Sequence, residues 1–247
     1  MKIVVIGGTG LIGKVVVQQL QAKGHEVIAA SPSQGINALT GEGLEQALRG
    51  AHTLVDVSNS PNWEDQAVLD FFTHSTINLI KASKAAGVQH YVALSIVGLE
   101  RVPEAGYFRA KLAQENLIKN GGVPYTLIRA TQFAEFVGGI AESVAKEGKL
   151  GLPDADLQPI AARDVSKEVT RAVLEKPANG TIEIAGPQVG PIADFVRQLF
   201  AAKGDTRPIT TDPQARYFGA LLSKGALLPA GEARLGPTEF GAWLRCN

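Results

Sequence analysis

Cysteine is nearly absent: Cys246 stands alone among 247 residues. It has no partner within the chain, so an intramolecular disulfide is excluded, and the composition suits a reducing compartment. One residue from the end, Cys246 reads as an incidental tail residue and not as a catalytic thiol. Neither sign of charge is in excess, since 24 basic residues balance 24 acidic ones. A balanced chain offers no basic field for nucleic acid or an anionic membrane surface. No apolar run is long enough to span a bilayer. A strand beginning at Lys2 stands where a cleavable signal would need a longer apolar core. Together these features lead us to expect a cytoplasmic protein. His25, His52, His74 and His90 are the only histidines, and none pairs at metal-ligand spacing with another or with Cys246, so no metal is assigned. There is no G-x-S-x-G nucleophile elbow, no internal repeat and no low-complexity tract.

What the chain does have is a regular alternation of strand and helix patterns. Strands are expected at Lys2–Ile6, Glu26–Ala30, Thr53–Val57, Val88–Ser95, Tyr125–Arg129 and Thr181–Ala185. Helices are expected to follow them, through Lys23, over Trp63–Ala86, Phe108–Lys119, Phe133–Lys146 and Ile192–Lys203. Another runs from Asp164, read as its N-cap, to Glu175. Such βαβα order implies a parallel sheet covered on both faces. With 45% hydrophobic residues, the chain suits one compact α/β domain spanning residues 1–247. After Gly148 turns become denser. From about residue 150 onward we expect a small substrate lobe, with the last stretch, from Gly204, forming short helices and loops over the carboxyl ends of the strands.

The first strand runs into Gly7-Gly8-Thr9-Gly10-Leu11-Ile12-Gly13, and a helix pattern follows. Gly7, Gly10 and Gly13 have G-x-x-G-x-x-G spacing. One glycine permits a tight turn, another lets the backbone approach a pyrophosphate, and the last lets the helix pack closely on the strand. The phosphates would lie over the free N–H groups of the helix start. A strand before and a helix after are the context this motif requires. The expectation is therefore a Rossmann-type doubly wound sheet with a small C-terminal substrate-covering lobe, holding a dinucleotide.

The second strand ends in Ala29-Ala30-Ser31-Pro32-Ser33-Gln34, without the carboxylate that would bond both ribose hydroxyls of NAD. Nothing there repels a 2′-phosphate, and Ser31 and Ser33 offer it hydroxyls. No arginine clamps it either. The lean is toward NADP(H) over NAD(H).

Tyr107 and Lys111 stand four apart in an expected helix and so share one face. An ammonium beside a phenol lowers its pKa and makes it a usable proton donor near neutral pH. The alternative is an ordinary solvated helix face. Three further segments end where an open sheet binds ligands. Val57-Ser58-Asn59 either borders the cofactor or is turn chemistry. Ser95, leaving an apolar strand, either orients a substrate carbonyl or caps the strand. Ala130-Thr131 is placed to touch a nicotinamide ring. Trp63, Phe133, Phe136, Tyr217 and Phe218 line an apolar pocket or belong to the core.

These residues resemble the short-chain dehydrogenase/reductase superfamily, and more closely its atypical NmrA-like NAD(P)-binding branch. The resemblance rests on Gly7 through Gly13, Tyr107 through Lys111, and Ile128-Arg129-Ala130-Thr131. Asp164-Val165 and Ile184-Ala185-Gly186-Pro187 extend it. It implies Tyr107 as catalytic acid/base, Lys111 as the residue that binds the nicotinamide ribose and tunes the tyrosine, and Ser95 at the substrate-polarising position. The chain departs from its relatives at the second strand and at Ala130, where a proline often stands. Many NmrA-like proteins lack the Tyr/Lys pair and act as redox sensors. The expectation is an NAD(P)H-dependent oxidoreductase that reduces a carbonyl or quinone-like small molecule, with a non-catalytic NADP(H)-sensing regulator as the rival. An epimerase or dehydratase with bound NAD fits less well, for want of the ribose-binding carboxylate. Self-association is left open by the sequence.

Overall fold

A computed structural model describes residues 1–146 and 148–246. Among them the main sheet has seven strands: β1 (Lys2–Ile6), β2 (Glu26–Ala30), β3 (Thr53–Asp56), β4 (His90–Ile96), β5 (Tyr125–Ala130), β9 (Gly180–Ala185) and β12 (Arg234–Leu235). Their order is β12-β9-β5-β4-β3-β1-β2, and every pairing is parallel. The order reverses direction at β1, between β2 and β3, which makes the crevice beyond their carboxyl ends the place where such sheets bind ligands.

The residues of β1 explain its central place. Side chains alternate across a strand, and both faces of β1 are apolar. Ile3 and Val5 pack with Ile12, Val16 and Leu20 of α1 (Leu11–Ala22) and with Val165 and Val169 of α6 (Ala162–Leu174). Val4 and Ile6 pack on the other face with Leu44 and Leu48 of α2 (Leu44–Leu48), Leu79 of α3 (Asp65–Ala86) and Ile118 of α4 (Gly106–Asn120). Each such burial contributes about 1.5–3 kcal/mol before ordering entropy is charged against it. The run of β-branched residues thus becomes a strand with no solvent face. Among the described residues no helix is long and apolar enough to cross a membrane.

A third core lies beyond the carboxyl ends of β4 and β5. It joins Leu99 and Phe108 to Val137 of α5 (Val137–Ser143), Leu152 of β7 (Lys149–Leu152), Leu157 of β8 (Asp156–Leu157) and Val196 of α7 (Ile192–Lys203). Phe240 of α8 (Phe240–Leu244) completes it. Small ladders tie this region together. β6 (Ala145–Lys146) pairs antiparallel with β7, β11 (Ile209–Thr211) pairs parallel with β7, and β10 (Gly190–Pro191) pairs with β8.

Two local expectations differ from the structure. The helix expected over Phe133–Lys146 is a short 3₁₀ turn, the seven-residue α5 and then β6. Gly138 and Gly139 weaken a helix there, and pairing with β7 recruits its end. Asp164 is not an N-cap. α6 begins earlier, at Ala162, and the Glu135 carboxylate accepts the Ala162 N–H at 3.1 Å from each oxygen. Asp164 lies in the first turn and accepts the Thr238 N–H at 3.0 Å. A distant carboxylate has taken over the capping role that local sequence assigned to Asp164.

Candidate functional site

The glycine loop joins β1 to α1. Gly7 has φ +77°, a conformation that side-chain-bearing residues rarely adopt. A Cβ on Gly13 would stand 2.1 Å from the Gly7 carbonyl oxygen, so helix and loop touch backbone to backbone. Gly10 is the N-cap of α1 and gives no side chain to the first-turn N–H groups. Those groups have no intrahelical acceptors, and the dipole makes them attractive to an anion. Thr9, Gly10 and Leu11 are exposed, whereas Ile12 and Gly13 are buried against the sheet. This bare turn at a helix start fits a pyrophosphate.

The neighbouring strand ends border the loop. The Gly7 N–H donates to Ala30 O at the end of β2. Ser31 is buried there, and its hydroxyl lies 2.9 Å from that of exposed Ser33. On the other side, Val57 and Ser58 follow β3 so closely under Gly7 that a Cβ would meet Val57 O and Ser58 Cα at 2.9 Å. Both are half-buried, and Asn59 is exposed.

Beneath these loops lies a buried polar chain centred on Asp56, the last residue of β3. Its Oδ1 accepts the Ser58 N–H at 3.1 Å and the Ser58 hydroxyl at 2.6 Å. Its Oδ2 accepts Tyr91 Oη–H at 3.1 Å and Gln114 Nε2–H at 2.9 Å. The Gln114 carbonyl oxygen in turn accepts a hydrogen bond from Lys111 Nζ. Lys111 also donates to Leu94 O at 2.8 Å and lies 4.4 Å from the Phe72 ring centroid. Only 3% of Lys111 is exposed. Burial pulls its pKa down to about 8, against the opposing pull of Asp56 and Glu115.

Tyr107 opens α4 and sits half-buried, its ring 5.5 Å from that of Trp63 and 5.9 Å edge-on to that of Phe72. Phe72 therefore lies against both members of the expected pair. The pair shares a face, as the spacing predicts, but its electrostatics differ from expectation. Burial pushes the Tyr107 phenol above its ordinary value, and the Lys111 ammonium is turned to Leu94 and Gln114. Among the described residues the Tyr107 hydroxyl makes no hydrogen bond.

Ser95 is drawn into a second polar cluster. Its hydroxyl donates to Glu115 Oε1 at 2.7 Å. Arg129 grips the same carboxylate through Nε and Nη2, both at 2.8 Å, and reaches Glu100 at 2.7 Å. Ala130 and Thr131 are buried at the end of β5, with the Thr131 hydroxyl donating to Gln158 O at 2.6 Å. Among the aromatic residues, Trp63 packs on Tyr107, and Phe218 packs edge-on to Tyr217 at 4.8 Å. Phe133 and Phe136 stack on each other at 5.4 Å.

A family model described as NAD(P)H-binding matches residues 7–175, from the glycine loop to the end of α6. The chain belongs to this NAD(P)H-binding family. The photosystem II assembly factor Ycf39 of Synechocystis is 25% identical over 87% of this chain and 72% of its own length. The NAD(P)H azoreductase of Xenophilus azovorans is 28% identical over 84% of this chain and 75% of its own. In structure, the Escherichia coli NADPH-dependent quinone oxidoreductase QOR2, complexed with NADPH, aligns with a TM-score of 0.66 at 22% identity. That alignment covers 85% of this chain and 77% of QOR2. The structural likeness is one of fold, and it upholds the Rossmann-type architecture.

For an NAD(P)H-binding protein, the Gly7–Gly13 loop is the part whose shape fits the dinucleotide most directly. Two surface grooves, of about 710 and 470 Å³, lie on the helical layers and contain none of the expected site residues. Sequence reasoning missed Asp56, Gln114, Glu115 and Gln132. A signal for the first existed: an aspartate ending the apolar run Thr53–Val55 must find partners when the strand is buried.

Proposed function

We propose that this protein is an NAD(P)H-dependent oxidoreductase that reduces a carbonyl or quinone-like small molecule. The observation that carries the reading is the buried Lys111 ammonium. It is held by neutral acceptors, with its pKa drawn down to about 8, on the same helix face as Tyr107. An under-compensated charge costs stability and is characteristic of functional sites. A bound dinucleotide supplies the hydride. The Gly7–Gly13 loop binds its pyrophosphate, and the Val57–Asn59 and Ala130–Thr131 segments flank it. Tyr107, neutral because burial raises its phenol, gives a proton to the oxygen of the reduced substrate. Lys111 holds the cofactor ribose from the helix face it shares with Tyr107. Ser95 positions α4 through Glu115. Trp63 and Phe218 give the mouth an apolar rim, and the region after residue 150 covers it. Ser31 and Ser33, with no carboxylate beside them, favour NADP(H) over NAD(H). The azoreductase relative is consistent with electron transfer from NAD(P)H to a conjugated acceptor.

A second reading has its own support. One relative is named an assembly factor, and in this structure Lys111 does not face the Tyr107 phenol. On that reading the chain binds NADP(H) and regulates a partner. NADPH consumption against a panel of quinones, aldehydes and ketones separates the two. Turnover of any panel member upholds the reductase. Silence across the panel, with tight NADPH binding, upholds the regulator.

A further inference from the structure

Among the described residues three glutamines are buried, and two of them have hydrogen-bonded amides. Gln114 joins Lys111 to Asp56, and Gln158 Nε2 donates to Gly186 O at 2.7 Å. The third is Gln132, only 6% exposed, whose Nε2 and Oε1 both lack a hydrogen-bond partner among the described residues. Leaving both ends of a buried amide unpaired is costly and needs an explanation. Slack in the backbone does not provide one. The Ile160 N–H donates to Gln132 O at 3.0 Å, and the Ala134 N–H donates to Ile160 O at 2.9 Å, so the segment is pinned on both sides. Gln132 lies two residues beyond β5, on the crevice side of the sheet.

Its surroundings are those of the proposed site. Tyr217, 4% exposed, lies near enough to Gln132 for the amide to act on its phenol, without meeting hydrogen-bond geometry, and it also senses Tyr107. Trp63, 65% exposed, stands over Tyr107 and marks where the cluster opens to solvent. An unpaired amide beside the Tyr217 phenol, on a pinned backbone, offers one donor and one acceptor side by side.

We infer that Gln132 is a ligand-recognition residue whose amide pairs with an amide edge, an N–H next to a C=O, on a molecule bound at the carboxyl ends of the strands. This rests on the dinucleotide reading above and adds to it. Two sources present such an edge: the carboxamide of the nicotinamide ring and a lactam or imide in the carbonyl substrate. Gln132 donates Nε2–H to the ligand carbonyl and accepts the ligand N–H at Oε1.

Equilibrium binding to the whole chain, wild type and Gln132→Leu, tests this with two matched pairs. The first is NADP⁺ against its 3-acetylpyridine analogue, which lacks the carboxamide N–H. The second is isatin against N-methylisatin, each titrated into the NADP⁺-saturated protein. The wild type should favour the N–H-bearing member of one pair about tenfold, and Gln132→Leu should abolish that preference. Which pair responds names the source. The variant should melt at or above the wild-type temperature, because it removes unpaired polar atoms. Should it fold poorly, Gln132→Met makes the same comparison. Wild-type protein that binds NADP⁺ yet discriminates in neither pair would overturn the inference, as would a variant that keeps the preference. A wild type that binds neither NADP⁺ nor NADPH would overturn the dinucleotide reading itself, and that result needs no variant.

Discussion

Helix α4 carries two buried polar clusters that lie side by side and behave differently. In one, Glu115 is held by Arg129, Lys119 and Ser95, and Arg129 is held by both Glu115 and Glu100. Burial alone would raise the Glu115 carboxyl, but hydrogen bonds from Arg129 and Ser95 outweigh it and hold the group below its usual range. Hydrogen bonding to Glu115 likewise raises Arg129. Every charge there has an opposite charge in contact. In the other, among the described residues, the Lys111 ammonium bonds a backbone carbonyl and an amide oxygen and lies over the Phe72 ring, with Asp56 one glutamine away. The charge is satisfied by hydrogen bonds but is not neutralised. The first arrangement locks a helix to a sheet. The second keeps a cation whose full attraction is realised only when something else arrives. Buried charge thus separates into two kinds, and the incompletely paired kind is the better marker of function.

The comparison can be broken at the paired cluster first. Glu115→Ala should destabilise the fold by about 3 kcal/mol in urea denaturation. The loss falls at the low end of such effects because Glu100 remains beside Arg129. A loss no larger than that of an exposed ion pair would mean the cluster is not structural.

Lys111→Met should do the opposite. At pH 7 it should stabilise the fold by on the order of 1 kcal/mol, since it removes an ammonium whose burial is unfavourable. The ammonium pKa falls from the usual 10.5 to about 8 on folding. Between those values the unfolded chain binds more protons than the folded one, so wild-type stability rises with pH over that window. Its cost is fully present below pH 8, and the stabilising effect of the substitution should shrink by pH 10. Turnover should fall about 100-fold in the variant, and wild-type kcat/KM should decline above about pH 8 as Lys111 loses its proton. A variant both less stable at pH 7 and fully active would erase the contrast.

Ser95→Ala sharpens the boundary. It should cost about 1 kcal/mol in stability, the worth of one hydrogen bond to a charge already held elsewhere. Turnover should stay within about tenfold of wild type, as expected for a positioning residue. A drop as large as that of Lys111→Met would return Ser95 to direct contact with the substrate oxygen.

Much of this was legible in the sequence where the cause is local. The apolar run of β1, the glycines after it and the helix pattern of α1 lie within a few residues of one another, and sterics at Gly7 and Gly13 leave few alternatives. The shared face of Tyr107 and Lys111 follows from helical geometry alone. What was not legible depends on strand register. Asp56 and Gln114 meet across a sequence separation of 58 residues, and Ser95 and Glu115 meet across 20. No local pattern carries such pairings, so the Lys111 ammonium was expected on Tyr107 and was found on Gln114. Local sequence points to Asp164 as a cap for the same reason, whereas Glu135 reaches Ala162 from elsewhere in the chain. Strands of two or three residues, such as β6 and β11, are too short to have a period at all.

The central claim is that Tyr107 donates the proton in a reduction supported by Lys111. Tyr107→Phe keeps the ring against Trp63 and Phe72 and removes only the hydroxyl. Measured on any quinone or carbonyl compound the wild type turns over, the variant should lose at least about 100-fold in kcat and bind NADPH as tightly as before. Undiminished kcat in that variant would contradict the account.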